Sequence, residues 1–179
     1  MVKMNSKQLR AVDAKTVSAD AQAINRNPMI FILENIYDTY NIGGIFRLAD
    51  ALGVTKLYLC GETETPPNNR IHKASCGTYK VVPWEYCKTV KEAIHKCKEN
   101  GEWQIVAVEQ SPTSIPYTSL QPKFPLALIV GNETTGVTPG ALTLCDKTVE
   151  IPMWGINKSL NVIVSAAIVS YHLITHRKA

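Results

Sequence analysis

Three stretches of this sequence set glycines beside amide, carboxylate, hydroxyl and arginine groups, each at the end of an apolar run. The first is Asn41-Ile42-Gly43-Gly44-Ile45-Phe46-Arg47. Two glycines let a bulky ligand approach the backbone, and free amides at a helix start favour phosphate. On a helix turning about 100° per residue, Arg47 lies about 140° from Ile42, off the apolar stripe. It therefore points away from the core, either as a solvated side chain or as a fork for an anionic group. The second stretch, Leu128-Ile129-Val130-Gly131-Asn132-Glu133-Thr134-Thr135-Gly136-Val137, carries a buried-looking strand into a turn with Glu133 between two glycines. That carboxylate anchors the turn or meets a cationic neighbour. The third runs from Ile151 to Val162, IPMWGINKSLNV. Here Ile151, Met153 and Leu160 surround exposed backbone and suit a flat ring such as adenine, while Ser159 and Asn161 are polar contacts or simple helix caps.

Other chemistries have less support. The cysteines Cys60, Cys76, Cys87, Cys97 and Cys145 are scattered, odd in number and without a CxxC pair or histidines at ligand spacing. They read as reduced thiols, with no metal site and no disulfide framework. The GxGxxG spacing of a nicotinamide-cofactor loop is absent. Net charge is +4, compatible with a polyanionic partner without requiring one. Basic residues do gather in two places, at Lys3, Lys7, Arg10, Lys15 and Arg26, and at Arg70, His72, Lys73 and Lys80 around an expected loop.

The elements that must position these groups follow from hydrophobic patterning. Apolar runs at Met29–Leu33, Lys56–Leu59, Lys80–Pro83, Ile105–Val108, Leu126–Val130 and Thr148–Ile151 read as strands. Helical spacing appears over Ile42–Leu52 with Asn41 as its cap, over Thr89–Asn100 closed by Gly101, and from Pro139 to Cys145 behind Thr138. Strands that are continuous apolar runs separated by helices predict an α/β fold, a mostly parallel sheet flanked by helices. Ser111–Pro125 reads as a long loop. The last helix, Leu160–Thr175, is apolar or small on nearly every side. A helix without a polar face needs cover all round, which predicts a homodimer packed through it. Residues 1–28 form a basic helical extension (Ser6 through Ala23) and 29–179 the main domain. No apolar run is long enough to span a bilayer and no cleavable leader is evident, so a cytoplasmic protein is expected.

Taken together, the order, spacing and identities of the three stretches resemble the signatures of the SpoU family of RNA ribose methyltransferases. Those signatures run NxGxIxRxA, GxExxG and IPMxGxxxSLNVxxA, and the likeness extends from about Met29 to the C-terminus. Two positions depart from the usual pattern, Gly44 where alanine is frequent and Ile163 where serine is frequent.

The resemblance implies a trefoil-knotted α/β fold, in which the C-terminal segment threads a loop to build a pocket for S-adenosylmethionine. It implies a homodimer and methyl transfer to a ribose 2′-hydroxyl of RNA, with transfer RNA favoured over ribosomal RNA for so compact a chain. Carried over by position, Gly131, Ile151 and Leu160, with Met153, hold the cofactor. Arg47 activates the acceptor hydroxyl and Asn41 positions it. Glu133 supports the site or the dimer partner, and Ser159 and Asn161 order the loop and help hold the arginine or the nucleotide. A literal base role for an arginine requires an extreme pKa shift, whereas stabilisation of a forming alkoxide does not. The alternatives are the same reaction on ribosomal RNA, or a non-catalytic RNA-binding or ribosome-assembly protein of the same fold.

Overall fold

The computed structural model describes residues 3–11, 24–99 and 101–177. In chain order its elements are α1 (Ser6–Ala11), β1 (Asn27–Glu34), α2 (Thr39–Leu52), β2 (Val54–Cys60), α3 (Asn69–Ala74), β3 (Trp84–Cys87), α4 (Val90–Glu99), β4 (Gln104–Val108), β5 (Ile115–Pro116), β6 (Leu126–Val130), α5 (Pro139–Leu142), β7 (Lys147–Glu150) and α6 (Val162–Thr175). Short 3₁₀ turns occupy Thr78–Lys80 and Tyr117–Ser119.

The strands form one sheet in the order β3-β2-β1-β6-β4-β7-β5. Every neighbouring pair runs parallel. A parallel sheet buried on both faces needs strands apolar on both sides, which β6 (LALIV) satisfies at every position. Along β1, Met29, Phe31 and Leu33 join Ile45, Phe46, Leu128, Val169 and Leu173 under α2 and α6. The alternate residues Ile30 and Ile32 join Ala127, Ile129, Ile94, Cys97 and Ala141 under α4 and α5. The result is a three-layer α/β/α sandwich.

Several expected boundaries move, each for a local reason. The first long helix begins at Thr39, because the Asp38 side chain accepts from Tyr40 N at 2.8 Å and caps it. Asn41, expected as the cap, sits inside the first turn instead, and its side chain is left for tertiary bonding. The expected strand Lys80–Pro83 is a 3₁₀ turn and a bend, with β3 starting at Trp84. The basic cluster at Arg70, His72 and Lys73 stands on a short helix rather than a loop, capped by Asn68 accepting from Arg70 N and Ile71 N. Thr138 caps α5 as expected, with proline following, but that helix stops at Leu142. Ser111–Pro125 is not all loop, since it contributes the edge strand β5. Asn161, not Ser159, caps α6 through Ile163 N at 2.9 Å. Of the expected N-terminal helix, Ser6–Ala11 is helical; the remainder, Lys15 included, lies outside the described residues, as does Asn100.

One buried carboxylate ties the sheet to its connections. Glu34, 7% exposed at the end of β1, accepts from Thr138 N at 2.9 Å and from Thr138 Oγ1 at 2.7 Å. It thereby fixes the start of α5 against β1. We expect Glu34→Ala to lower unfolding free energy by about 2–3 kcal/mol, since a buried amide and hydroxyl lose a charged acceptor. Urea denaturation checks this, and an unchanged midpoint would remove the clamp from the list of stabilising contacts.

Candidate functional site

The chain places its three chemically suggestive stretches at the carboxyl edge of the sheet, where ligands sit in open α/β folds. Three neighbouring strands, β6, β4 and β7, all end at one cleft of about 350 Å³. Its lining includes Gly131, Glu133, Ile151, Met153, Ser159 and Leu160. These side chains and backbone segments, far apart in sequence, are therefore brought together. Arg47, Asn41 and Asn161 are not part of that lining.

Each loop around the cleft is held by its own bonds. Gly131 lies against the backbone of Gly136 and Val137 so closely that a Cβ there would overlap both. The turn folds back on itself because Gly136 N donates to Asn132 O at 2.9 Å. Asn132 Oδ1 accepts from Thr134 N and Thr135 N, and Asn132 Nδ2 donates to Asn35 O at 2.8 Å. Glu109, just past β4, accepts from Val137 N at 2.7 Å. Its neighbour Gln110 donates from Nε2 to Lys158 O at 2.7 Å, reaching the third stretch. Glu150 accepts from Ser114 Oγ at 2.6 Å. Glu109, Glu133 and Glu150 are among the residues that line the cleft, beside the apolar Ile151, Met153 and Leu160.

A chain of side-chain bonds joins all three stretches. Asn161 Nδ2 donates to Asn41 Oδ1 at 2.9 Å, and Asn41 Nδ2 donates to Glu133 Oε1 at 2.6 Å. Asn41 is buried, 5% exposed, so this pairing uses both ends of an amide that water does not reach. Glu133 thus meets a neutral amide rather than a cation, and Asn161 holds Asn41 rather than Arg47.

Arg47 is exposed and, among the described residues, makes no hydrogen bond or ion pair. Its surroundings are set by the two glycines of α2. A Cβ on Gly43 would overlap Ala74 Cβ and come within 2.8 Å of Ser75 N, so α3 presses on that side. A Cβ on Gly44 would overlap Ile163 Cδ1, so α6 presses on the other. The two positions that depart from the SpoU pattern therefore face one another. The larger Ile163 fills the space that Gly44 leaves.

Three of the thiols are too buried to compete for a catalytic role. Burial pushes Cys97 and Cys145 up to about 12, and Cys60 further still, so none of these three is a thiolate near neutral pH. Among the described residues no group of histidine, cysteine, aspartate or glutamate is arranged to hold a metal ion.

Sequence reading missed Glu34, Glu109 and Gln110. The available signal was polar residues immediately after buried strands, at the edge where the three stretches lie. It also missed Tyr37 and Tyr40, which stand exposed on either side of the cap of α2.

Comparison with known proteins bears on the family and the fold. Residues 28–171 match the model of the SpoU rRNA Methylase family. The 23S rRNA (guanosine-2'-O-)-methyltransferase RlmB of Vibrio parahaemolyticus is 29% identical over 160 residues, covering 89% of this chain and 64% of that protein. Among solved structures, the A. aeolicus TrmH/SpoU tRNA modifying enzyme superposes with a TM-score of 0.76 at 29% identity, over 96% of this chain and 82% of the other. The SpoU methyltransferase AviRb of Streptomyces viridochromogenes, in complex with AdoMet, gives 0.76 at 26% identity, over 87% and 63%. The chain spans about three fifths of the length of the curated relatives it matches, 64% and 59% for two of them.

The glycine–isoleucine contact yields a test of the site's packing. Alanine is the better helix former by about 1 kcal/mol, and a Cβ on Gly44 would overlap only the terminal methyl of half-buried Ile163, which can turn aside. Gly44→Ala is therefore expected to leave stability within about 1 kcal/mol of the starting chain. In an Ile163→Ala background the same change is expected to be more favourable, because nothing then has to move. A double-mutant cycle in chemical denaturation measures the coupling, and simple additivity would show that the two positions are independent.

Proposed function

This chain belongs to the SpoU rRNA Methylase family, and on that premise we propose that it transfers a methyl group from S-adenosylmethionine to a ribose 2′-hydroxyl of RNA. One observation carries the reading: the Asn161–Asn41–Glu133 chain locks the wall of a ligand-sized cleft to the helix that bears Arg47. When bound, S-adenosylmethionine supplies an electrophilic methyl on a sulfonium cation. The cleft fits such a molecule. Its volume suits a cofactor, Ile151, Met153 and Leu160 give an apolar wall for adenine, and the carboxylates of Glu109, Glu133 and Glu150 offset the positive charge. Gly131 keeps the turn tight enough for backbone groups to face the ligand.

On the acceptor side, a 2′-hydroxyl is a weak nucleophile, so its proton must leave or its developing charge must be stabilised. Arg47 is the cation placed for that, free of other partners among the described residues and able to grip an adjacent phosphate bidentately. Asn41 acts through Glu133 and Asn161 as a positioning residue. Ser159, exposed at the cleft rim, orders the loop of the third stretch, its N donating to Asn157 Oδ1 at 3.4 Å. Intact Asn41, Arg47, Glu133, Ser159 and Asn161 argue against a non-catalytic relic of the same fold.

The reading includes a trefoil knot, with the C-terminal segment threaded through a loop beside the cleft. Its support is the bonding of the segment at Lys158 and Asn161 to Gln110 in the loop after β4 and to Asn41 at the start of α2. It also includes a homodimer. One side of α6 packs Val162, Ala166, Val169 and Leu173 inward, while Val164 and Tyr171 remain exposed on a helix with no charged side chain other than a titratable histidine. Trp154, Ile156 and Leu160 add exposed apolar surface nearby in the chain. Residues 1–28 serve as a basic extension to the domain 29–179. In support, Arg10 Nη2 donates to Lys73 O at 3.3 Å, and Lys80 Nζ donates to Arg10 O at 3.0 Å. The substrate favoured is transfer RNA, ribosomal RNA being the second reading. The reading also takes the protein to be cytoplasmic.

Methyl transfer from labelled S-adenosylmethionine to unmodified total RNA, then size-fractionated and digested to nucleosides, is expected to give a labelled 2′-O-methyl nucleoside in the tRNA fraction. Label only in ribosomal RNA would select the second reading, and failure of the cofactor to bind would sink the proposal. Arg47→Ala is expected to cut turnover by on the order of 100-fold or more while leaving cofactor affinity within about twofold. Asn41→Ala should instead weaken cofactor binding, because it frees Glu133 at the cleft wall. Tyr171→Glu is expected to give monomers by sedimentation and to lose turnover with them.

A further inference from the structure

Beside the start of α2 lies a second cleft, about 600 Å³, lined by Tyr37, Tyr40, Glu64, Asn69 and Arg70 among others. Its aromatic rings are unusually available, Tyr37 being 54% exposed and Tyr40 67%. Neither the core nor the cofactor cleft explains them. Tyr37 is braced, its hydroxyl donating to Glu62 Oε2 at 2.5 Å. The Asp38 carboxylate is occupied as the cap of α2. The side chains of Asn69, Arg70 and Glu64 have no hydrogen-bond or ion-pair partner among the described residues.

Helix geometry connects this cleft to Arg47. At about 100° per residue, Arg47 falls within about 20° of Tyr40, two turns and about 10 Å further along. Gly43 falls about 60° to one side of Tyr40 and Gly44 about 40° to the other. Since Gly43 abuts α3 and Gly44 abuts α6, the Tyr40–Arg47 stripe runs along the floor of a groove between those helices. The two glycines keep that floor low.

We infer that Tyr40, with Tyr37 and Arg70, forms a stacking platform for an unpaired base of single-stranded or looped RNA, next to the ribose presented to Arg47. This rests on the methyl-transfer reading and names where its substrate is gripped. Aromatic faces and arginine planes are the usual partners of splayed RNA bases. The carboxylate of Glu64 opposes a phosphate in the same cleft but accepts from a base edge, which assigns the base to the cleft with Arg70 and the backbone to Arg47.

The test is direct binding, read by anisotropy, of a fluorescein-labelled random-sequence single-stranded RNA 12-mer to the full chain. Tyr40→Ala is expected to weaken binding on the order of 5–100-fold, the range of one lost base–aromatic stack. Tyr40→Phe should remain within about twofold, and cofactor affinity should be unchanged in both, which also reports that the variants fold. Photocrosslinking of the same oligomer should map to Tyr37 or Tyr40. Wild-type affinity in Tyr40→Ala, or no binding of the oligomer by the wild type, overturns the platform. Methyl transfer by the wild type to total RNA is scored separately. A chain that methylates RNA with Tyr40→Ala at unchanged KM keeps the function and loses the platform. A chain that binds the oligomer through Tyr40 but transfers nothing keeps the platform and loses the function.

Discussion

The buried amide of Asn41 is the joint on which the site depends. Its two ends are taken by Asn161 and Glu133, so three segments separated by 92 and 120 residues meet at one side chain. An amide buried without partners costs about 1–3 kcal/mol, so each partner is held as firmly as it holds. Displacing Asn161 or Glu133 leaves one end of the buried Asn41 amide unpaired, and displacing Asn41 breaks both bonds. The loop after β6, the start of α2 and the start of α6 therefore move together or not at all.

That coupling explains the division of labour around it. On one side of the joint the ends of β6, β4 and β7 form a cleft with an apolar wall and three carboxylates. On the other, α2 offers an exposed arginine that pairs with no anion among the described residues and, two turns earlier, an exposed tyrosine. The proposed reaction, which brings a cationic methyl donor to a polyanion, needs these opposite electrostatics within a short span. It also needs them kept apart, because an arginine bonded to Glu133 would be neutralised. Giving Glu133 a neutral amide as partner achieves that separation.

Close packing carries as much of the design as polar bonding does. Gly131 lets the turn fold on itself, Gly43 brings α3 against α2, and Gly44 makes room for Ile163. The last contact sets a large side chain on α6 against a residue without one on α2. Around this, Glu109, Gln110 and Glu34 act as clasps between strand ends and loops.

Much of this was legible in the sequence because hydrophobic periodicity is a local signal. The strands β1, β2, β4, β6 and β7, the parallel sheet they form, the cap at Thr138 and the outward direction of Arg47 all follow from neighbouring residues. Motif order and spacing were enough to place the chain in its family. Where local signals compete, reading failed. Asp38 and Asn41 are both good caps, and only the folded chain shows that Asp38 takes the role. The run Lys80–Pro83 is apolar enough for a strand but turns instead, and β3 forms from Trp84 onward. What tertiary structure alone decided is partnership. No spacing rule says that Asn161 bonds Asn41 rather than Arg47, that Glu133 meets an amide, or that Gly44 and Ile163 touch. Those contacts are fixed by how three distant segments converge at one sheet edge, and sequence separation carries no record of distance in space.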